Sequence, residues 1–76
     1  MSKLPIISSK DMARILESIG FSEVRQKGSH KVYSHRDGRT VVVPSHRDDL
    51  GRGLIRTLLR EIEITVDDYI KLKKNR

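Results

Sequence analysis

Between positions 25 and 33 the chain runs Arg25-Gln26-Lys27-Gly28-Ser29-His30-Lys31-Val32-Tyr33, and here its chemically capable side chains crowd together. Glycine permits backbone shapes that other residues resist, serine adds a small hydrogen-bonding group, and histidine titrates near neutrality. Basic residues flank all three. Cleavage of an RNA phosphodiester asks for little more. A base takes the proton of the 2′-hydroxyl, cations stabilise the charge building on phosphorus, and an acid protonates the leaving 5′-oxygen. His30 is the candidate for proton transfer, with Ser29 and Lys27 as candidates to assist it. Arg25, Lys27, Gly28, Lys31 and Tyr33 are the candidates to hold RNA. On residue types alone, a strand histidine flanked by lysines is structural or simply exposed more often than it is catalytic.

The other two histidines are read more plainly. His35 stands beside a turn and is expected to be exposed, and His46 falls in a loop. Spacings of five and eleven residues put no two histidines on one helical turn, and the chain has no cysteine, so no metal site or cofactor is expected. Gly51-Arg52-Gly53 lacks the context of a phosphate-binding loop and is read as the turn into a helix, with Arg52 able to meet a phosphate there.

The elements that must position these residues follow from periodicity. Met12, Ile15, Leu16 and Ile19 recur at helical spacing, Ser8 with Asp11 resembles an N-terminal cap, and Gly20 supplies the left-handed stop. Residues 22–27 read as a short strand. His30–His35 and Thr40–Val43 flank Arg36-Asp37-Gly38-Arg39, a strong hairpin signal, and Pro44 ends the last strand. A second helix is expected over Arg52–Ile62, with Leu54, Ile55, Leu58, Leu59 and Ile62 on one face. Thr65 with Asp68 caps a third that buries Val66, Tyr69 and Ile70. The order α-β-β-β-α-α implies an α+β fold, an antiparallel three-stranded sheet with helices on one face. Residues 1–76 are expected to form one domain, frayed over 1–7 and 73–76.

If Asp37-Gly38 is a two-residue turn, Val32 faces Val43, Tyr33 faces Val42 and Ser34 faces Val41. Val32, Val41 and Val43 then line the helix side, with His30 at the rim of the core. Tyr33, Val42, Thr40, Lys31, Arg25 and Lys27 then lie on the open face. A bulge at the turn shifts this register by one and inverts the assignment.

The chain has 76 residues and carries 16 Lys and Arg against 10 Asp and Glu, for a net charge of +6. Such a field favours polyanionic partners, nucleic acid or an acidic protein. With no disulfide, no apolar run near the ~18 residues of a membrane span and no signal-peptide pattern, it reads as a soluble cytoplasmic protein with a thin core.

The helix ending in Gly20-Phe21, the run Arg25-Gln26-Lys27-Gly28-Ser29-His30 with Tyr33 behind it, and Val43-Pro44-Ser45-His46 before a helix together resemble the HicA family of bacterial and archaeal toxins. The resemblance covers roughly residues 8 to 70. It implies a fold similar to the double-stranded-RNA-binding domain and metal-independent cleavage of messenger RNA, with the family's essential histidine at His30. It also makes His46 a candidate to assist, and implies a hetero-oligomer with a HicB antitoxin that covers the active face. Two other readings stay open: a non-catalytic module that binds double-stranded RNA through phosphates and 2′-hydroxyls, and a partner for an acidic protein. The glycine-serine-histidine unit favours the enzyme, because a pure binder has no need of it.

Overall fold

The computed structural model describes residues 4–74. Its elements are α1 (Ser9–Ser18), β1 (Phe21–Lys27), β2 (His30–His35), β3 (Thr40–Pro44), α2 (Arg52–Ile62) and α3 (Val66–Lys74). The strands form an antiparallel sheet in the order β1-β2-β3, so β2 is central and β1 and β3 are edges. Tyr33, Val41 and Val43 from one sheet face pack into a core with Met12, Ile15 and Leu16 of α1 and Ile55, Leu58, Leu59 and Ile62 of α2. Among the described residues no helix covers the other face. This is the expected α+β arrangement, like that of the double-stranded-RNA-binding domain. Among the described residues no helix is long and apolar enough to cross a membrane.

Local chemistry sets the ends of the helices. The Asp11 amide donates to Ser8 Oγ at 3.1 Å, capping α1. Gly20, at φ +101°, then turns the chain into β1. The Asp68 amide donates to Thr65 Oγ1 at 3.1 Å and starts α3. No side chain caps α2 at its start, and it ends on Glu63 in the left-handed conformation, φ 62°. In α3 Tyr69 is buried and its hydroxyl donates to the Pro5 carbonyl at 2.6 Å. Val66, expected inside, is 39 % exposed at the first position of α3.

Two expectations are corrected. Residues 4–7 are no loose end. Leu4 and Ile7 are buried, the Leu50 amide donates to Ile7 at 3.0 Å, and Arg52 Nε donates to Leu4 at 3.0 Å. Arg52 is thus engaged with the chain's own carbonyl. At the other end α3 continues to Lys74, and residues 1–3 and 75–76 lie outside the described part.

The second correction is the hairpin register. Gly38 donates to the His35 carbonyl and His35 to the Arg39 carbonyl, both at 2.9 Å, with Gly38 at φ +102°. The loop is therefore a turn closed by a left-handed glycine, one residue longer than the two-residue turn. Lys31 faces Val43, Val32 faces Val42 and Tyr33 faces Val41. One residue of slip exchanges the two faces of β2.

Candidate functional site

The shifted register relocates the candidate residues. His30 pairs with Lys27 on β1 and Pro44 on β3, and Val32 pairs with Arg25 and Val42. Alternation along the strands puts His30, Lys27, Arg25, Val32 and Val42 together on the open face. His30 is therefore exposed on that face and does not sit at the core rim. Arg25 and Lys27 lie where the sequence placed them, and a bulge at Val24 keeps them in phase with β2. Lys31 and Tyr33 are corrected to the helix side. Tyr33 is 2 % exposed, and Lys31 Nζ lies 3.5 Å from Glu23 Oε1. Burial, and next the charges of Glu23 and Glu17, push the Tyr33 phenol upward.

Short-range geometry fixes His30's backbone. Gly28, at φ +61°, and Ser29 make the two-residue turn between β1 and β2, with Gln26 Nε2 donating to the Gly28 carbonyl at 3.2 Å. The Ser29 carbonyl accepts from the Ser45 amide at 2.7 Å and from Ser45 Oγ at 2.9 Å. Ser9 Oγ donates to the Pro44 carbonyl at 2.6 Å and accepts from the Arg47 amide at 3.0 Å. Ser45 and Ser9, both buried, thus clamp the 28–29 turn, the end of β3 and the start of α1 into one unit. The sequence reading missed these two serines. Their signal was weak, since serine beside proline and before a helix is common in ordinary loops.

Two histidines differ sharply. Among the described residues, no hydrogen bond or ion pair engages the His30 imidazole. His35, expected to be merely exposed, is a structural residue. Its Nε2 lies 3.1 Å from the Ile19 carbonyl and its Nδ1 accepts from the Asp37 amide at 3.1 Å. Its ring meets Phe21 edge-on at 5.1 Å. Arg39 completes this corner, donating to Asp37 Oδ2 at 2.8 Å and to the Ile62 carbonyl, and lying 5.2 Å over Phe21. The Arg39 amide, followed by the charges of Arg39 and His35, holds the exposed Asp37 carboxyl below its ordinary range.

His46 is exposed in the left-handed conformation, φ 62°. It lines a cleft of about 580 Å³ between α1 and the end of β3, together with Lys31 and Tyr33, and His30 is not among that cleft's walls. The structure therefore gathers Lys27 and Arg25 around His30 and sets His46, Lys31 and Tyr33 around the cleft. Among the described residues no group of three His, Asp or Glu is placed to hold a metal ion.

An open sheet face with a free histidine and two cations can move a proton beside a phosphodiester and neutralise its charge. A family model described as HicA toxin of bacterial toxin-antitoxin matches residues 9–64, from the first residue of α1 to just past α2. No curated protein matches the chain.

Proposed function

Since the chain belongs to the HicA toxin family, as the toxin of a bacterial toxin–antitoxin pair, we propose that it is a metal-independent endoribonuclease that cuts messenger RNA on its open sheet face. The observation that carries this reading is the free imidazole of His30 in one cross-strand row with Lys27, beside Arg25. His30 takes the proton from the 2′-hydroxyl. The 2′-oxygen attacks phosphorus, the bond to the 5′-oxygen breaks, and the products are a 2′,3′-cyclic phosphate and a 5′-hydroxyl. Lys27 and Arg25 neutralise the charge that develops on the phosphoryl oxygens. Lys27, sharing His30's row, is better placed than His46 to protonate the leaving oxygen. Ser29 is exposed at the turn, within reach of a bound backbone.

The antitoxin implied by the family is read as a HicB-type protein that covers this face. Val42, across Val32 from Arg25, is 46 % exposed, and exposed apolar area beside positive charge suits a protein interface. Occlusion of His30 then inhibits by steric means, and the complex melts above the free chain.

The test is cleavage of a defined messenger RNA by the purified chain in excess EDTA, with analysis of the product ends. Cyclic phosphate and 5′-hydroxyl ends in chelator support the reading. Activity lost in EDTA and restored by Mg²⁺ or Mn²⁺ contradicts it.

A further inference from the structure

The cleft between α1 and the end of β3 has no role in the chemistry at His30, yet it is built like a site for an anion. Lys10 and Arg47 reach its walls from α1 and the loop after β3, Lys31 comes from β2, and His46 stands at the edge. Against these cations the lining holds one carboxylate, Asp48, while Glu23 balances Lys31 at 3.5 Å. Among the described residues, the side chains of Lys10, His46 and Arg47 have no hydrogen-bond or ion-pair partner. Lys10 is also placed against the field of its own helix. It is the second residue of α1, where the peptide dipoles are already positive and a cation is unfavourable. An anion bound there would relieve that repulsion.

A second observation is independent of charge. Tyr33 is 2 % exposed as a residue and lines the cleft, and among the described residues its hydroxyl has no hydrogen-bond partner. The molecule's other buried tyrosine, Tyr69, satisfies its hydroxyl on a carbonyl. Among the described residues no buried side-chain oxygen lacks a partner, so the unpaired Tyr33 hydroxyl opens on the cleft, where a bound polar group can meet it. Ala13 and Val43 add apolar wall, and about 580 Å³ falls within the range of small-molecule sites.

We propose that this cleft is a nucleotide subsite for the RNA strand, with a phosphate held by Lys10, Arg47 and Lys31 and a base or ribose polar group meeting the Tyr33 hydroxyl. The proposal rests on the reading that the open face cuts RNA, and deepens it by naming where the flanking nucleotide goes. Continuity favours RNA over an acidic peptide. Pro44, which pairs with His30, also forms the cleft's rim, and Ser45 in its wall is bonded to Ser29, the residue before His30. β3 is the sheet edge, one strand spacing of roughly 4.8 Å from β2. A single strand bound at His30 need only pass around that edge to deliver its next nucleotide to the cleft.

The experiment uses the full chain carrying His30→Ala, isotopically labelled and titrated with a five-nucleotide RNA, with adenosine 5′-monophosphate, and with hexaglutamate. Amide shifts at residues 8–10, 31, 33 and 45–47 with both nucleotide probes are expected. Lys10→Ala/Arg47→Ala, which keeps the backbone bonds of Arg47, should weaken RNA binding about tenfold or more. It should also lower the salt slope by up to roughly 0.7, the share of one phosphate of a single strand. Tyr33→Phe should weaken the monophosphate without changing that slope. Shifts confined to Arg25, Lys27, Val32 and Val42, or an unchanged slope in the double variant, overturn the subsite. Shifts in the cleft with hexaglutamate but not with RNA also overturn it and give the cleft to a protein partner. Nucleotide binding in the cleft by a wild-type chain that never cuts RNA supports the subsite while removing the nuclease reading, so the two fail separately.

Discussion

Replacing Gly20 with alanine tests whether the corner that carries β1 is built as described. Gly20 sits at φ +101°, where an L residue is disfavoured by about 1–2 kcal/mol. Its new Cβ would stand 2.7 Å from His35 Nε2 and 3.1 Å from Cδ2, so the imidazole must move. Moving it gives up the contact with the Ile19 carbonyl at 3.1 Å, worth about 1 kcal/mol net. The sum is about 2–3 kcal/mol. For a domain of this size that lowers Tm by roughly 10–20 °C, at about 4–8 °C per kcal/mol. Thermal unfolding followed by circular dichroism measures it. In a His35→Ala background only the backbone share should remain, leaving a coupling of about 1 kcal/mol between the two positions. A Gly20→Ala protein within about 4 °C of wild type, or equal penalties in both backgrounds, would refute the steric account of the corner.

Tyr69→Phe removes the bond to the Pro5 carbonyl and should destabilise by about 1–2 kcal/mol in urea unfolding. Burial and next Asp11 push the Tyr69 phenol up to about 12, above its unfolded value near 10. Its contribution is therefore complete below about pH 10 and lost as pH rises toward 12, and Tyr69→Phe should flatten that alkaline limb. Asp37 has the opposite sign: its carboxyl is depressed, so its contribution is present above about pH 4 and lost as pH falls through the lower folded value. Asp37→Ala should thus show a shallower acid limb in the same titration. Glu63→Gly should stabilise by up to about 1 kcal/mol, because glycine takes φ 62° without strain, and the denaturation midpoint should rise at constant slope.

Much of this fold was legible because it is written in local rules. The periodicity of Ile55, Leu58, Leu59 and Ile62 fixed α2 to the residue, and Ser8 and Thr65 marked the starts of α1 and α3. The faces of β2 were not legible. They depend on one extra residue at Gly38, and the Asp-Gly pair that signals a turn does not say how long the turn is. That ambiguity moved His30 from rim to open face and Tyr33 from open face to core. His35 was misread for another reason: its partners Ile19 and Phe21 are tertiary neighbours, far along the chain. The cleft is a product of tertiary packing too. Its only sequence-level trace is Lys10, a cation in the first turn of a helix, which local electrostatics alone would not choose.

The most direct test of the account is the single-turnover rate of RNA cleavage by His30→Ala against wild type, at matched temperature below both melting points. His30 is exposed, and among the described residues nothing bonds to its ring, so the variant should keep its Tm within a degree or two. The rate should fall by about 10²–10⁴-fold, the share of a proton-transfer group. A folded His30→Ala protein that cuts RNA at the wild-type rate would contradict the central claim.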